Sequence, residues 1–332
     1  MAVVGAAGLV GQKILEILAE RDFPVGGLTL MATARSAGQT QEFRGRPYTI
    51  AEARPDLFEG VDLAFFAASG TASEELAPEA ARRGAVVIDK SAVFRMKEGV
   101  PLVVPEVNPE ALDGHRGIIA SPNCSTIQMV LVLAPIQRAR PIKRVVVSTY
   151  QSVSGTGREA VEELKAQTRD VLADRPAAPN VYPHQIAFNI LPHIDKFAPD
   201  GYTLEEVKMI QETRKILSLP DLPITATTAR VPTYVGHAES VNIELAGPLE
   251  PDEVRAILRL APGVAVVDDP AHNQYPLPVE AAGRDDTLVG RVRTDPSVPY
   301  GLNLWIVSDN LRKGAATNAV QIAEALIARN RL

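Results

Sequence analysis

The residues best suited to chemistry fall in two short stretches. The first is Ala120-Ser121-Pro122-Asn123-Cys124-Ser125-Thr126-Ile127-Gln128, which holds the only cysteine of the 332 residues. A lone thiol can make neither an internal disulfide nor a multi-thiolate metal site. Two roles remain for it, a small buried apolar residue or a nucleophile. The second stretch runs from Ala226 to Glu239, where Arg230 precedes a Gly236-His237 turn. A planar guanidinium matches a carboxylate, and imidazole is the natural proton carrier near neutral pH. His115, His184, His193 and His272 have no comparable setting. Outside these stretches the readings are plainer. Glu205 and Lys208 have the spacing of neighbours on one helix face, which also describes an ordinary surface ion pair. Arg95, among apolar neighbours, has the pattern of a surface arginine lying along its own stem. Gln151, just past an apolar run, could cap the next helix.

These groups need a scaffold, and the chain supplies recognisable pieces. Gly117-Ile118-Ile119-Ala120 reads as a short buried strand, and Ile127 to Ile136 as a helix opened by Ser125 and Thr126. Cys124 then sits at a strand-to-helix turn, where a helix N-terminus stabilises a thiolate. At the start of the chain, Ala2-Val3-Val4 is a strand and Ile14, Leu15, Ile17 and Leu18 have helical spacing. The glycine turn between them lets backbone approach a pyrophosphate, making Gly5, Ala7, Gly8, Leu9, Val10 and Gly11 candidate cofactor contacts. The second strand, near Leu28 to Ala32, leads to Arg35 and Ser36 where an NAD site usually has an acidic residue. A guanidinium and a hydroxyl suit the 2′-phosphate of NADP; the plainer reading is a solvent-facing loop arginine. Val61 to Ala68 is a buried central strand, and Ser69 and Gly70 open the helix after it at another place where a dinucleotide should lie. Val86 to Asp89 is a further strand.

Alternating strands and helices predict an α/β chain whose first part is a Rossmann-like, doubly wound parallel sheet. From Ile142 the pattern changes. Strands over Ile142 to Tyr150, Ser240 to Leu245, Leu288 to Arg293 and Leu302 to Val307, with no tight glycine motif between them, predict an α+β substrate and dimerisation domain with a mixed or antiparallel sheet. The final helix, Thr317 to Arg329, presents Ala319, Ile322, Ala323 and Leu326 for packing back onto the first domain. The expected boundaries are 1–123 with 310–332, and 124–309.

Composition sets the class. Hydrophobic residues at 46% and charged residues at 22% are those of a globular chain able to bury a sizeable core. The net charge of −6 and the lack of a long basic run argue against a nucleic-acid partner. No run approaches the roughly 20 apolar residues of a membrane span. The start lacks the basic lead and long apolar middle of a signal peptide, and sparse cysteine fits a reducing compartment. The expectation is a soluble cytoplasmic protein. A thiol, a proton carrier, a nucleotide fold and several anion binders together suggest reduction of an activated acyl group.

Asn123-Cys124-Ser125-Thr126 resembles the nucleophile motif of aspartate-β-semialdehyde dehydrogenases. Further segments from Gly5 to Asn318 resemble the same family in the same order. The resemblance implies that Cys124 is acylated by L-4-aspartyl phosphate and that His237 is the acid/base. Asn123, with backbone amides, would hold the oxyanion, and Gln151 would contact substrate beside the nucleophile. Arg230 would bind the substrate carboxylate, Glu205 its ammonium, and Arg95 and Lys208 its phosphate. Ser154, Gly155 and Asn310 would touch NADP. A homodimer or homotetramer in lysine, threonine and methionine biosynthesis, including the diaminopimelate branch, is implied. Three rivals stand beside this reading. A sister enzyme reduces N-acetyl-γ-glutamyl phosphate, but its cysteine usually has a glycine-preceded context that this chain lacks. A glyceraldehyde-phosphate type of phosphorylating dehydrogenase is more distant. A catalytically silent nucleotide-binding homologue predicts loss of the thiol, the imidazole or the arginine, and all three are present.

Overall fold

A computed structural model describes residues 1–332. The chain forms two compact units, Met1–Asn123 with Ala315–Leu332, and Cys124–Gly314.

In the first unit, β1 (Ala2–Val4) leads through α1 (Leu9–Glu20) to β2 (Thr29–Ala32). A hairpin of β3 (Thr40–Phe43) and β4 (Arg46–Thr49) and the short β5 (Ala51–Glu52) follow. Then come β6 (Leu63–Phe66), α2 (Gly70–Arg82), β7 (Val86–Asp89) and β8 (Ile118–Ala120). Six strands make a wholly parallel sheet in the order β5-β2-β1-β6-β7-β8. The order reverses between β1 and β6, so the turns after these two strands lie side by side, where open parallel sheets bind ligands. Parallel strands buried on both faces should be continuously apolar. Leu63-Ala64-Phe65-Phe66 is such a run, and all four are buried. The last helix, α8 (Thr317–Ala328), packs against α1 and β7 through Ala319, Ile322, Ala323 and Leu326.

The second unit opens with α3 (Cys124–Ala139), buried at every position from Ser125 to Ala134. A helix apolar all round belongs inside a core. Next come β9 (Ile142–Gln151), α4 (Arg158–Leu172), α5 (Leu204–Leu217), β10 (Ile224–Arg230) and β11 (His237–Leu245). The rest are α6 (Pro251–Arg259), β12 (Val264–Val266), α7 (Pro278–Ala281), β13 (Thr287–Asp295) and β14 (Gly301–Ser308). The sheet is mixed, ordered β10-β9-β11-β14-β13-β12, with β10 parallel to β9 and β12 parallel to β13. The other pairings are antiparallel. Period-two alternation divides the sheet's residues. His237, Glu239, Gln151 and Arg230 lie on one face, and Tyr150 and Trp305 on the other, their ring centroids 5.5 Å apart. After β14 the chain makes a π-helical turn, Arg312–Ala316, and enters α8 (Thr317–Ala328).

Candidate active site

The glycine turn of the first unit is built for close approach. Gly5 has φ +87°, and a Cβ there would lie 2.3 Å from the Ala67 carbonyl oxygen at the end of β6. A Cβ on Gly11 would lie 2.2 Å from the Gly5 carbonyl oxygen. Both positions are therefore closed to any side chain. Gly8 caps α1 without a side-chain hydrogen bond, which leaves the first-turn amides for an anion. Ala7, Leu9 and Val10 are partly buried around this turn. On the adjacent strand, Ser69 caps α2 by accepting from the Ala72 amide at 3.3 Å, with Gly70 next to it. A bare turn and two helix N-termini at the sheet's switch point fit a dinucleotide pyrophosphate. Arg35 is exposed and Ser36 half-buried in the helical turn after β2.

Arg95 is not the surface arginine that its apolar neighbours allow. It is 7% exposed. Its Nε donates to the Ser121 carbonyl at 3.1 Å and its Nη2 to the Lys90 carbonyl at 2.7 Å. Lys90, which sequence reasoning missed, donates from Nζ to Ser121 Oγ and the Pro122 carbonyl, both at 3.2 Å. Two cations thus hold Ser121-Pro122, immediately before the buried Asn123. The signal was available: a lysine and an arginine close behind a buried β-strand.

In the second unit Cys124 is the first helical residue of α3, one residue before the Ser125 and Thr126 expected to open it. Anionic sulfur is favoured there. Gly314, in the π-helical turn, packs against it, for a Cβ on Gly314 would lie 3.0 Å from the Cys124 Cβ. Asp309 fixes that turn by accepting from the Leu311 and Arg312 amides, while its carbonyl accepts from the Gly314 amide at 3.0 Å.

His237 opens β11 and is fully buried. The Ser152 amide donates to its Nδ1 at 3.1 Å, and Ser152 Oγ is also 3.1 Å away. An amide can only donate, so this contact places the proton of the neutral ring on Nε2. Nε2 has no hydrogen-bond partner. Burial, with the Arg230 guanidinium second, holds His237 well below the usual histidine range, against a smaller opposing effect of the Gly236 backbone. Asn310 secures the frame: its Oδ1 accepts from Ser152 Oγ at 3.0 Å, Ser154 Oγ at 3.3 Å and the Gly236 amide at 2.9 Å.

Arg230, 5% exposed, donates from Nη1 to the Ser152 carbonyl at 2.8 Å, and its buried Nε is unmatched. Gly155 adjoins both side chains; a Cβ on it would lie 3.0 Å from Arg230 Nη1 and 3.2 Å from His237 Nε2. Gln151 Nε2 donates to Thr149 Oγ1 at 3.3 Å and to Glu205 Oε1 at 3.2 Å. Glu205 is buried, unlike a member of an ordinary surface pair. Lys208 lies 3.4 Å from Glu205 and 2.6 Å from Asp195, a partner that sequence reasoning did not include. The second unit therefore gathers Gln151, Ser154, Gly155, Glu205, Arg230, His237 and Asn310 around one polar centre, with Lys208 at its edge. Arg95, Asn123 and the glycine turn belong to the first unit.

Both halves of this arrangement have known counterparts. Residues 1–115 match the family described as semialdehyde dehydrogenase, NAD binding domain, and residues 133–313 match semialdehyde dehydrogenase, dimerisation domain. An aspartate-semialdehyde dehydrogenase of Bacillus subtilis is 51% identical over 334 residues, covering 98% of this chain and 96% of that protein. The chain belongs to the aspartate-semialdehyde dehydrogenase family. The crystal structure of aspartate semialdehyde dehydrogenase II of Vibrio cholerae, complexed with ASA, superposes with a TM-score of 0.96 at 47% identity, covering 98% of this chain and 97% of that one. The Candida albicans enzyme, crystallised with NADP, superposes with a TM-score of 0.77 at 25% identity, covering 100% and 99%.

Proposed function

We propose that this chain catalyses the reversible, NADPH-dependent reductive dephosphorylation of L-4-aspartyl phosphate to L-aspartate 4-semialdehyde through a thioester on Cys124. The observation that carries the reading is a pair of buried, unmatched nitrogens, Arg230 Nε and His237 Nε2, on side chains that both adjoin Gly155. Buried donors without acceptors are costly, and a bound carboxylate and a developing oxyanion would satisfy these two. The relatives, aspartate-semialdehyde dehydrogenases, support the choice of substrate.

The steps follow from residue chemistry. Cys124 loses its proton to His237, and the sulfur attacks the acyl carbon. The carbon–oxygen bond to phosphate breaks, phosphate leaves with the bonding pair, and a thioester remains. To accept a proton at Nε2 the ring must carry its other proton on Nδ1. Ser152 Oγ can take that hydrogen bond while donating its own to Asn310 Oδ1. Asn123 and the first amides of α3 stabilise the oxyanion. When bound, NADPH supplies the hydride that reduces the thioester carbon. The carbon–sulfur bond then breaks, the aldehyde departs, and His237 returns the proton to sulfur. Arg230 pairs with the substrate carboxylate, Glu205 with its ammonium while Gln151 steadies both, and Arg95 and Lys208 with its phosphate.

The glycine turn with Ser69 and Gly70 would hold the pyrophosphate, Arg35 and Ser36 the 2′-phosphate, and Ser154, Gly155 and Asn310 would border the nicotinamide end. The NADP in the Candida albicans structure supports this choice of cofactor. The sheet face bearing Tyr150 and Trp305 is the proposed homodimer surface, in line with the matched dimerisation domain. The product feeds lysine, threonine and methionine biosynthesis. Phosphate-dependent NADP reduction, assayed with aspartate semialdehyde and separately with N-acetylglutamate semialdehyde, tests the reading. Turnover of the first alone is expected; preference for the second would overturn the substrate.

A further inference from the structure

Glu239 is a fully buried carboxyl to which the reaction above gives no task. It stands two residues after His237 on β11 and shares its face. Neither carboxyl oxygen has a partner at good hydrogen-bond geometry, and the buried amide nitrogen and oxygen of Gln128 are likewise unmatched. Gln128 is nevertheless within reach of the carboxyl. It stands four residues after Cys124 on α3, hence one turn further along the same side. Four helical residues rise about 6 Å, and two strand residues about 6.7 Å. A short link joins the end of α3 to β9, so the helix runs back against β9, and β11 is antiparallel to β9. Helix and strand therefore run in the same sense. Contact between Gln128 and Glu239 sets Cys124 over His237, one step back on each element.

We infer that Glu239 and Gln128 form a positioning pair that holds Cys124 in register with His237. The inference rests on the proposed roles of those two residues. Glu239 takes part as a carboxylic acid: its O–H matches the Gln128 carbonyl in kind and its C=O the Gln128 amide, so closing the pair would satisfy the four atoms that are unmatched. Several observations favour the protonated form. Burial pushes the carboxyl well above the usual range, outweighing the Gln128 amide, and nearby Glu205 acts in the same direction as burial. The charged group that acts on it is Glu205 of α5, and His237 shares its strand and face. The adjacent strands present Thr149 and Ile306 opposite it. Ionised, Glu239 would be a buried carboxylate beside another acid, a costly arrangement.

The test compares Glu239→Gln, Glu239→Ala, Gln128→Ala and the double alanine variant. Glu239→Gln keeps a neutral pair and should retain kcat within about twofold, while each alanine should lower kcat about tenfold with little change in KM, as misalignment does. The double variant should be no worse than either single one, because both remove one interaction. Rates of Cys124 alkylation across pH should shift in the alanine variants and not in Glu239→Gln. Infrared spectra of the full chain at neutral pH should contain a protonated-carboxyl band that Glu239→Gln lacks. An absent band, additive losses, or a Glu239→Gln variant as slow as Glu239→Ala would overturn the pair. The band and the alkylation rates require no turnover, so they remain decisive if the proposed reaction fails, and the band needs no alanine variant, so it remains decisive if those do not fold.

Discussion

Gly155 lies directly against the imidazole of His237, where a single added carbon would come within 3.2 Å of Nε2 and 3.0 Å of the Arg230 guanidinium. Those distances are tight enough to make the ring or the guanidinium shift. Gly155→Ala should therefore lower kcat/KM by about tenfold or more while changing stability by only about 1 kcal/mol. Steady-state kinetics alongside a thermal melt check this. Unaltered kinetics would mean that Nε2 does not work at the Gly155 side of the ring.

Ser152 presents both a donor and a hydroxyl to Nδ1, each at 3.1 Å. Ser152→Ala keeps the amide contact, and so the ring's position, but removes the oxygen that would accept Nδ1–H. Loss of proton-carrying efficiency should reduce kcat by about tenfold or more, within the span of general acid–base effects, with KM nearly constant. Nitrogen NMR of the resting protein should find the Nε2–H tautomer. A wild-type kcat would remove Oγ from the proton path.

Two buried groups pull stability in opposite directions with pH. His237 is lowered from 6.5 by burial and then by Arg230, so the unfolded chain binds its proton first. Through His237, stability is present above pH 6.5 and is lost as pH falls toward the lowered value. Glu239 is raised from 4.5 by burial, so the folded chain holds its proton longer. Through Glu239, stability is full below pH 4.5 and declines as pH rises toward the raised value. Thermal melts across pH should show Glu239→Gln flattening the decline on the neutral side and His237→Asn flattening the one on the acid side. Unchanged pH slopes in both variants would contradict the burial argument.

Much of the candidate site was legible because the residue types able to do its chemistry are concentrated in few positions. Cys124, Arg230 and His237 stood out by type and by position at element junctions, the glycine turn by its spacing, and Gln151 only through the family resemblance. Tertiary features were hidden. Arg95 and Glu205 have spacings that suit the surface, and only packing reveals that both are buried. Glu239 sits in a polar-looking stretch and Gln128 within an apolar helical run, with nothing local to announce a partner on another element. Cys124 is the first residue of α3, and Gly314, far along the chain, packs beside it, a contact no local pattern announces.

In the proposed reading, Arg35 and Ser36 carry the cofactor preference. Replacing both by alanine should weaken NADP binding about tenfold or more, the scale of one or two charge-assisted hydrogen bonds, and leave NAD binding nearly unaffected. Titration calorimetry with each dinucleotide measures this. Equal losses for the two would take the 2′-phosphate away from this turn.

Mass spectrometry of protein mixed with aspartate semialdehyde and NADP, in the absence of phosphate, interrogates the sulfur itself. The account predicts an aspartyl thioester on the Cys124 peptide, cleared when phosphate is added and missing from Cys124→Ala. NADPH formation at full rate by the alanine variant, or an acyl group found only on another residue, would contradict it.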